Sequence, residues 1–462
     1  MLKALCRIKK GPKMKKELLS IIKDKERIFT ENIPKKFLSD GLQREIGNAS
    51  ALVFVKTTAE VSQIMKYAYK KNIAVTIRGA GTNLVGSTVP TQKGIVLDLS
   101  KMNRILEIDC ETLTATVEAG VLLKDLAEKV LSIGYFYPPD PGEKNSTIGG
   151  NIATNAGGMR AIKYGVTRDY VHGLEAVLAD GSIINMGGKT VKDASGLSLK
   201  NLIVGSEGTL AVVTKCILKL VPKPETFKSV ILPYKSLTAA IISVAKLLKA
   251  DIKPTAIEFI EESVLLLGEK YSGEKFPSLK ADAYLLIAFD GSLLEVNSNI
   301  EKLKNVAFNY GAKDVLPLNE TDAEIVWKIR GCLVNAVEAI NQQEPVDIVV
   351  PIDKTAEFVN FVHKTEANSG IKMVAFGHAG DGNVHLCVIR DKNKTKIKNV
   401  LDVLYAKAYE LNGLTSGEHG IGLSKKTYFF KNTPKINLIL MRNIKKAFDK
   451  KQILNKHISY LL

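Results

Sequence analysis

Two of the chain's six histidines flank one glycine-rich turn. The stretch GHAGDGNVH, residues 377–385, places His378 and His385 at its two ends. Asp381-Gly382 is a strong signal for a two-residue hairpin loop, which would pair residue 378 with residue 385. The two imidazoles would then lie directly opposite each other on one face, with Cβ atoms about 5 Å apart. Two imidazoles in that position can share one ion.

A third ligand for such an ion is available near the C-terminus. The stretch SGEHGIG, residues 416–422, places Glu418 beside His419 in a second glycine-rich bend. Two histidines and one carboxylate form an open site for Zn²⁺, Mn²⁺ or Fe²⁺ and leave coordination positions for a substrate. Taken alone, two histidines around a turn are more often structural, and a Glu-His pair in a loop is usually solvated.

Another glycine-rich stretch, RGAGTNLVG at 78–86, follows the strand-like run IAVTI. It is not the dinucleotide-binding GxGxxG pattern, because Leu84 replaces the third glycine and the residues that follow contain Pro and Gly and cannot begin a helix. The backbone N–H groups of the loop itself would therefore have to bind any anion. Gly79, Gly81 and Gly86 lack the Cβ atoms that would prevent close approach. A plain tight turn is an equally good interpretation of this stretch alone.

Several motifs then follow one another over about residues 45–222: RGAGTNLVG, PPDPG, IGGNIATNAGG, YGVTRDYVHGLEAVLADG and NLIVGSEGTLAVVTK. In order and spacing they resemble the FAD-binding domain of the vanillyl-alcohol-oxidase/p-cresol-methylhydroxylase type. In that family the first loop holds the FAD pyrophosphate, the segment 147–157 passes beside the flavin, and the GSEGTL region lines the adenosine and isoalloxazine. Members with covalent flavin often carry His where this chain has Thr82, so the resemblance implies noncovalent FAD. The FAD-binding residues that it implies are Gly79, Gly81, Thr82, Asn83, Gly86, Pro139, Gly149, Gly150, Thr154, Ala156, Glu207, Gly208 and Val213.

The combination of GHAGDGNVH and GEHGIG resembles the C-terminal domain of the FAD-linked oxidases, the group of D-lactate dehydrogenase, the glycolate oxidase flavoprotein subunit and D-2-hydroxyglutarate dehydrogenase. In those enzymes the two histidines and the glutamate bind a divalent metal, which implies His378, His385 and Glu418 here. The adjacent His419 is implied as the acid/base. The family's Trp-x-x-Arg segment is WKIR in this chain and implies that Arg330 binds the substrate carboxylate. The alternative for Arg330 is a surface arginine on an amphipathic helix.

The chemistry that these resemblances imply is oxidation of a D-2-hydroxy acid to the 2-oxo acid. A divalent ion bound to the substrate hydroxyl lowers its pKa, His419 takes the proton, and the C2 hydrogen leaves as hydride to flavin N5. Where the hydroxyglutarate enzymes have Thr, Lys and Asn, this chain has Val334, Pro345 and Cys387. A second carboxylate would face an apolar wall at a cost of several kcal/mol. We therefore expect a short monocarboxylate, with D-lactate first and glycolate or D-2-hydroxybutyrate next.

The remaining sequence indicates the elements that position these residues. Strand and helix signals alternate to about Val221, and residues 58–72 predict a helix with Val61, Ile64, Met65 and Ala68 on one face. The segment 138–165 lacks a helical period and predicts a long functional loop whose apolar residues wrap around another part of the molecule or a ligand. The residues VPKPE, 221–225, read as a linker. Beyond Lys425 the pattern predicts a polar, helical segment to the end.

The predicted fold class is α+β. We expect a two-subdomain FAD-binding domain of the p-cresol-methylhydroxylase type, followed by an α+β substrate (cap) domain with an antiparallel sheet and a helical C-terminal segment. The predicted boundaries are an N-terminal helical segment at 1–44, the FAD-binding domain at 45–222, the substrate/metal-binding cap domain at 223–425, and the C-terminal helical segment at 426–462.

Composition narrows the classes of partner. The chain has 462 residues, is 45% hydrophobic and 24% charged, and has a net charge of +17, as in a globular protein of two or three domains. Its lysines are spread through helix-like segments without interleaved aromatics, which argues against nucleic-acid binding. No apolar run reaches the ~18 residues of a membrane span, and no signal peptide is recognisable. We expect a cytoplasmic protein whose charge also suits an anionic membrane surface.

The five cysteines form no CxxC pair, which argues against a disulfide framework and against an iron–sulfur cluster held by this chain. Electrons would therefore pass to a partner: an electron-transfer flavoprotein, an iron–sulfur subunit or a quinone. Two other functions remain open. One is an alkyl-dihydroxyacetone-phosphate-synthase-like flavoenzyme, which shares the flavin fold but performs no net redox. The other is a flavin-containing electron-transfer subunit of a larger complex, with a vestigial metal site.

Overall fold

The computed structural model describes residues 10–458, which form eighteen strands and fifteen α-helices. The strands β1 to β18 are, in chain order, Ile28–Phe29, Ala51–Phe54, Val75–Arg78, Ile95–Asp98, Ile105–Asp109, Thr114–Glu118, Tyr135–Phe136, Val171–Val177, Ile183–Gly187, Val212–Lys219, Val221–Pro222, Thr226–Tyr234, Ala256–Glu261, Ala283–Gly291, Leu316–Pro317, Gln343–Val349, Met373–His378 and Asn383–Ile389. The helices α1 to α15 are Lys10–Ile21, Thr58–Lys71, Leu123–Leu131, Ile148–Thr154, Ala161–Tyr164, Thr167–Tyr170, Leu199–Ile203, Leu237–Lys249, Glu262–Ser272, Leu293–Ala307, Glu320–Glu338, Thr355–Ser369, Lys394–Glu410, Lys426–Asn432 and Lys435–Phe448.

The strands form two sheets in the first half of the chain and one large sheet in the second, with a small pair between them. The first sheet has the order β1-β2-β4-β3, with β4 parallel to both β2 and β3. The second has the order β5-β6-β10-β8-β9 and is antiparallel, and β7 pairs with β11. The third is a seven-stranded antiparallel sheet, β15-β12-β14-β13-β17-β18-β16. This architecture confirms the predicted α+β class, with two subdomains in the first half of the chain and an antiparallel sheet in the second.

Both faces of the seven-stranded sheet are covered by helices. One face packs against α8, α10, α12 and α13 around a core that includes Phe259, Phe289 and Phe358. The other face, here called the site face, packs against α9 and α11 and contains Phe376 and Cys387. Since α11 covers only part of the site face, the rest is left to line a cavity toward the first half of the chain.

The predicted amphipathic helix after residue 57 is confirmed as α2. The Thr57 side chain accepts a hydrogen bond from the backbone N–H of Glu60 at 3.2 Å, which caps the N-terminus. Asn72 ends the helix in the left-handed conformation, at φ 54°. The four residues predicted to share one face are all fully buried, in the core beside the first sheet: Val61, Ile64, Met65 and Ala68.

The prediction of a structureless loop over 138–165 is wrong in part, because two short helices, α4 and α5, lie within it. Thr147 caps α4 by accepting from the backbone N–H of Gly150. A Cβ on Gly149 would lie 2.7 Å from the Cβ of Ala119. The glycines therefore let this helix pack directly on the end of β6, a tertiary contact that helix periodicity cannot reveal.

Both chain ends also differ from expectation. Within the predicted N-terminal helical segment, α1 is the α-helix, whereas β1 pairs with β2 and residues 1–9 lie outside the described residues. At the other end α14 and α15 follow Lys425 as predicted, but residues 449–458 are not helical. They run alongside β3, where the backbone N–H of Val75 donates to the carbonyl of Ile453 at 2.8 Å. The apolar pair Ile453 and Leu454 is buried in the core of the first half, which the polar composition of the C-terminal segment did not indicate.

Candidate active site

The hairpin of β17 and β18 brings His378 and His385 together, but in a different register from the predicted one. His378 pairs with Asn383, and His385 pairs with Phe376. The loop therefore has four residues, 379–382, rather than two. The histidines remain on one face because the register differs by two residues, and side chains alternate with a period of two. They are diagonal neighbours whose Nε2 atoms lie 3.1 Å apart.

Glu418 completes a triangle of ligand atoms with this pair. Its Oε1 lies 3.4 Å from Nε2 of His385 and 3.6 Å from Nε2 of His378. Ligand atoms held about 2.0–2.2 Å from one ion in tetrahedral geometry lie about 3.4 Å from each other. The other carboxylate oxygen, Oε2, is buried and has no hydrogen-bond partner among residues 10–458. The spacing and the unpaired oxygen both fit a divalent cation.

Glu258 is a buried carboxylate that contacts two of the predicted site residues at once. It lies on β13 directly opposite His378, and its Oε1 is 2.7 Å from Nδ1 of that histidine. Its Oε2 accepts from Nε of Arg330 at 2.7 Å and lies 2.5 Å from Nη2. A carboxylate on Nδ1 directs the lone pair of Nε2 toward the ligand triangle. Glu258 therefore orients a metal-ligand candidate and the carboxylate-binding candidate together.

Asp347 performs a similar task for the loop that carries Glu418 and His419. It is fully buried on β16, opposite His385. Its Oδ2 accepts from the backbone N–H groups of Glu418 and His419, at 3.1 and 2.9 Å, and from the Ser416 hydroxyl at 2.6 Å. The buried Lys425 ammonium lies 3.2 Å from the same oxygen. Asp347, His385 and His419 also lie close enough to hold an ion, but these hydrogen bonds already occupy the aspartate.

The charges of the triangle are set by burial and by Glu258. Burial and the neighbouring His378 lower the pKa of His385 to about 3, so His385 is neutral, as a metal ligand must be. Burial opposes the charged form of His378, but the Glu258 carboxylate raises the pKa of His378 well above its usual range. Burial likewise opposes ionisation of Glu418, but the hydrogen bond to His378 lowers the pKa of Glu418 to about 2. Two ring nitrogens 3.1 Å apart need a proton or a cation between them, and the carboxylates of Glu258 and Glu418 would stabilise either one.

The two residues with implied catalytic roles lie beside the triangle, and both line the cavity. The ring of His419 is stacked on that of His385, with centroids 5.4 Å apart and planes at 14°. Its Nδ1 is buried without a hydrogen-bond partner, 3.8 Å from Asp347. Arg330 is buried on α11 with its guanidinium over the ring of Phe376. The alternative of an exposed surface arginine is therefore wrong.

A single cavity of about 670 Å³ joins the triangle to the predicted flavin loops. Of the predicted FAD-binding residues, Gly86 and Pro139 lie outside its lining. A Cβ on Gly86 would meet Leu423 instead, and Pro139 is buried. The remaining predicted residues all line the cavity: Gly79, Gly81, Thr82, Asn83, Gly149, Gly150, Thr154, Ala156, Glu207, Gly208 and Val213.

The flavin end of the cavity has the features of a cofactor cradle. As expected, the 79–86 loop does not run directly into a helix, and its residues 79–84 line the cavity. A Cβ on Gly79 would lie 2.2 Å from Oγ1 of Thr147, so a side chain there would push into the cavity wall. Three buried polar groups on the lining have no partner within the described protein: Ser146 Oγ, Asn151 Nδ2 and Ser206 Oγ. An elongated polar cofactor would satisfy such groups.

Glu207, implied as an FAD contact, uses its carboxylate within the protein. It accepts from the Ser87 hydroxyl at 2.7 Å and from the backbone N–H groups of Ile421 and Gly422 at 2.9 and 3.0 Å. Its carbonyl accepts from the side chain of Asn455 at 2.7 Å. Glu207 therefore ties the flavin loop to the loop that carries Glu418 and to the C-terminal segment.

Sequence reasoning missed Glu258, Asp347 and the bridging contacts of Glu207. The first two had a weak signal, because each is a single acidic residue inside an apolar strand, AIEFI and VDIVV. A charge in a fully buried strand is rare unless it is paired. Its partner cannot be named from the strand alone, since Glu258 is 120 residues from His378.

Comparison with known proteins agrees with the class that this fold and cavity define, a flavoprotein of the p-cresol-methylhydroxylase type. A structure of p-cresol methylhydroxylase with substrate bound superimposes with a TM-score of 0.79 at 17% identity, covering 99% of this chain and 98% of that one. A structure of alkyldihydroxyacetonephosphate synthase gives a TM-score of 0.73 at 17% identity, covering 97% and 86%. Likeness at this identity shows the fold.

Sequence comparison defines the family. Residues 49–187 match the family model described as FAD binding domain, and residues 223–457 match FAD linked oxidases, C-terminal domain. The D-lactate dehydrogenase of Anaerostipes hadrus is 41% identical, with 87% of this chain and 88% of the relative covered. The glycolate oxidase subunit GlcD of Bacillus subtilis is 42% identical, with 88% and 87% covered. The mitochondrial D-2-hydroxyglutarate dehydrogenase of Rattus norvegicus is 30% identical, with 95% and 82% covered.

The chain belongs to the FAD-linked oxidases. It is an FAD-linked oxidoreductase of the D-lactate dehydrogenase/glycolate oxidase type. Across residues 10–458 there is no helix with the length and apolar character needed to cross a membrane.

Proposed function

We propose that this protein oxidises a short D-2-hydroxy monocarboxylate to the 2-oxo acid. D-lactate is the first candidate substrate, and glycolate and D-2-hydroxybutyrate are the next. The observation that carries the proposal is the triangle of His378, His385 and Glu418, whose ligand atoms are spaced for one ion. It lies on the same cavity as the flavin loops. Relatives named D-lactate dehydrogenase and glycolate oxidase subunit support the substrate class.

In this proposal the two cofactors are held by opposite walls of the cavity. The loop at 79–83 and the segment around Gly149 and Gly150 bind noncovalent FAD, which supplies the hydride acceptor. His378, His385 and Glu418 bind a divalent ion, Zn²⁺, Mn²⁺ or Fe²⁺, which supplies a Lewis acid for the substrate oxygens. Glu258 keeps Nδ1 of His378 occupied, so Nε2 remains directed at the ligand triangle.

The proton and the carboxylate of the substrate are assigned to the other two residues. His419 accepts the hydroxyl proton at Nε2, because its ring lines the cavity and Nε2 lies 3.9 Å from Oε1 of Glu418, whereas Nδ1 is buried on the side of Asp347. Arg330 binds the carboxylate through Nη1, since Glu258 contacts its Nε and Nη2. The Glu258–Arg330 ion pair fixes the direction of the guanidinium and thereby the orientation of the substrate.

The rest of the wall supports a monocarboxylate. Val334, Pro345 and Cys387 all line the cavity. Burial raises the pKa of the Cys387 thiol to about 12, so the thiol is uncharged at neutral pH. A second carboxylate beside these residues would lose its hydration without gaining a cation.

The test is reduction of the purified holoprotein. We expect it to contain FAD and one equivalent of a divalent metal, and D-lactate to bleach the flavin absorbance under anaerobic conditions. The proposal fails if D-2-hydroxyglutarate bleaches the flavin at far lower concentration than D-lactate, or if no 2-hydroxy acid bleaches it.

We also propose that the electrons leave to a partner, because the sequence contains no motif for an iron–sulfur cluster. An electron-transfer flavoprotein, an iron–sulfur subunit and a quinone are the candidates, and one relative is itself named as a subunit. We further propose a cytoplasmic location, at the membrane surface if the acceptor is a quinone. Isolation of the native complex from cells distinguishes the three acceptors.

A further inference from the structure

Gln343 is a buried polar side chain whose amide has no hydrogen-bond partner in the described part of the chain. The residue begins β16 and is fully buried. Its backbone is used, since the carbonyl accepts from Nη1 of Arg44 at 2.5 Å. Its side-chain Oε1 and Nε2 are both buried and unpaired, and the residue lines the main cavity. Buried amides nearly always have hydrogen-bond partners, so we expect a ligand in the cavity to hydrogen-bond to this amide.

The position of Gln343 relative to the proposed metal site follows from the strand register. Side chains alternate along β16, so Gln343, Pro345 and Asp347 share the site face. On the neighbouring strand Asp347 lies opposite His385, and Pro345 lies opposite Cys387. The site face therefore runs from the metal-ligand candidates, across an apolar band, to a polar amide.

The distance between the two polar ends sets the length of a molecule that would reach both. Gln343 pairs with Ile389, four residues beyond His385 on β18. At about 3.3 Å per residue the two ends are about 13 Å apart along the strand. An acid held at the metal-ligand candidates therefore needs a chain longer than three carbons to approach the amide. D-lactate would not reach the amide.

We propose that Gln343 forms a second polar subsite of the substrate pocket, which binds an uncharged polar group at the far end of a longer D-2-hydroxy acid. The class of group is an amide, a hydroxyl or a carbonyl, because the glutamine amide offers both a donor and an acceptor and no charge. Pro345 and Cys387 provide the apolar wall for the methylene groups between. This inference rests on the proposed function, which places the carboxylate and hydroxyl at the other end.

The surroundings of Gln343 exclude a carboxylate as its preferred ligand. The nearest cation, Arg44, donates to the Gln343 carbonyl and forms an ion pair with Glu338 at 2.5 Å. Its charge is therefore already neutralised. Glu338 also approaches the backbone N–H of Gln343, at 3.4 Å, and would repel an anion.

Three acids of equal length test the subsite on the wild-type holoenzyme: the 5-amide of D-2-hydroxyglutarate, D-2-hydroxy-5-methylhexanoate, and D-2-hydroxyglutarate itself. The first two have nearly the same shape, but only the first can hydrogen-bond at its far end. We expect kcat/KM for the amide to exceed that for the methyl compound by about ten-fold, the effect of one well-placed neutral hydrogen bond in a buried site. Equal values in the wild type would overturn the proposal, and so would a higher value for the dicarboxylate than for the amide.

Gln343→Met removes the amide at nearly constant volume. We expect the ratio of kcat/KM for the amide to that for the methyl compound to fall to about one, while the FAD content stays unchanged. The matched control is Gln342→Met, which alters the exposed neighbour and should leave the ratio as in the wild type. An unchanged ratio in a folded Gln343→Met variant would overturn the subsite, and if that variant does not fold the wild-type series decides alone. Failure of D-lactate to bleach the flavin would instead overturn the proposed function.

Discussion

The two ends of the cavity are built from different materials. At the flavin end, the lining is mostly backbone and small residues from contiguous loops such as RGAGTNL and IGGNIATN. At the cap end, the lining includes ionisable side chains from three separate segments, which are α11, the β17–β18 hairpin and the loop at 416–419. Glu258 on β13 and Asp347 on β16 hold these side chains from behind. The first end depends on where side chains are absent, and the second on where charged side chains are buried together.

This difference means that the two ends should fail separately. A backbone cradle is damaged when a side chain is added to it. A cluster of buried charges is damaged when one member is removed, because its partners are left unpaired in a low-dielectric site. Glu207 is the contact that joins the two ends, since it bonds both Ser87 and the loop after His419.

Removal of the divalent ion that we propose at this site should have the largest effect. We expect dialysis against a chelator to slow flavin reduction by D-lactate by at least about 1,000-fold, because a Lewis acid stabilises developing charge by several kcal/mol. The FAD content should be unchanged, since the flavin end contains none of the ligand candidates. Stopped-flow absorbance measures both, and restoring the metal should restore the rate. Simultaneous loss of FAD would contradict the separation of the two ends.

His419→Gln should slow flavin reduction by at least ~100-fold, the contribution of a general base, with FAD and metal retained. The control is His363→Gln. His363 lies away from the cavity, and its Nε2 is 2.9 Å from Oε1 of Glu261. This control should leave the rate unchanged. An unchanged rate in His419→Gln would remove that residue from the mechanism.

Glu258→Gln should weaken metal binding by about 10- to 100-fold, because a carboxylate that orients a ligating imidazole tunes its affinity. It also leaves Arg330 without its buried counter-charge, so KM for D-lactate should change as well. Glu261→Gln, on the same strand, is the matched control. Metal titration of the two variants makes the comparison, and equal affinities would show that Glu258 serves stability alone.

Gly81→Val should raise the Kd for FAD by about ten-fold or more, because a Cβ on Gly81 would lie 2.0 Å from the Arg78 guanidinium and the φ of 74° costs a β-branched residue about 1–2 kcal/mol, so the loop has to shift. Its metal content should be unchanged. Gly134→Val is the control, since Gly134 has a φ of 86° and open space around its Cβ position. Fluorescence titration of the apoprotein with FAD measures the difference. Equal losses in both variants would indicate general destabilisation.

The flavin half was largely predictable from local sequence. Its strands, the face of α2 and the lining glycines follow from patterns that extend over a few residues. The error over 138–165 arose because α4 has the composition of a loop and is stabilised by packing against Ala119. The cap end was predictable only in its ligand candidates, and the predicted register was wrong by two residues because the loop at 379–382 is longer than its Asp-Gly signal suggested.

The sequence by itself determined the class of each half and the residue types that stand ready for a flavin and an ion, because glycine spacing and the alternation of strands are local properties of a chain. Only the tertiary structure decided that Glu258 faces both His378 and Arg330 and that Asp347 holds the loop of Glu418. It also decided that the Gln343 side chain, at the far end of the site face, has no hydrogen-bond partner in the described part of the chain. These contacts join residues that are far apart in the chain, and they depend on the order and register of strands in one sheet. A pattern within a single strand specifies which face a side chain takes, but not which partner it meets there.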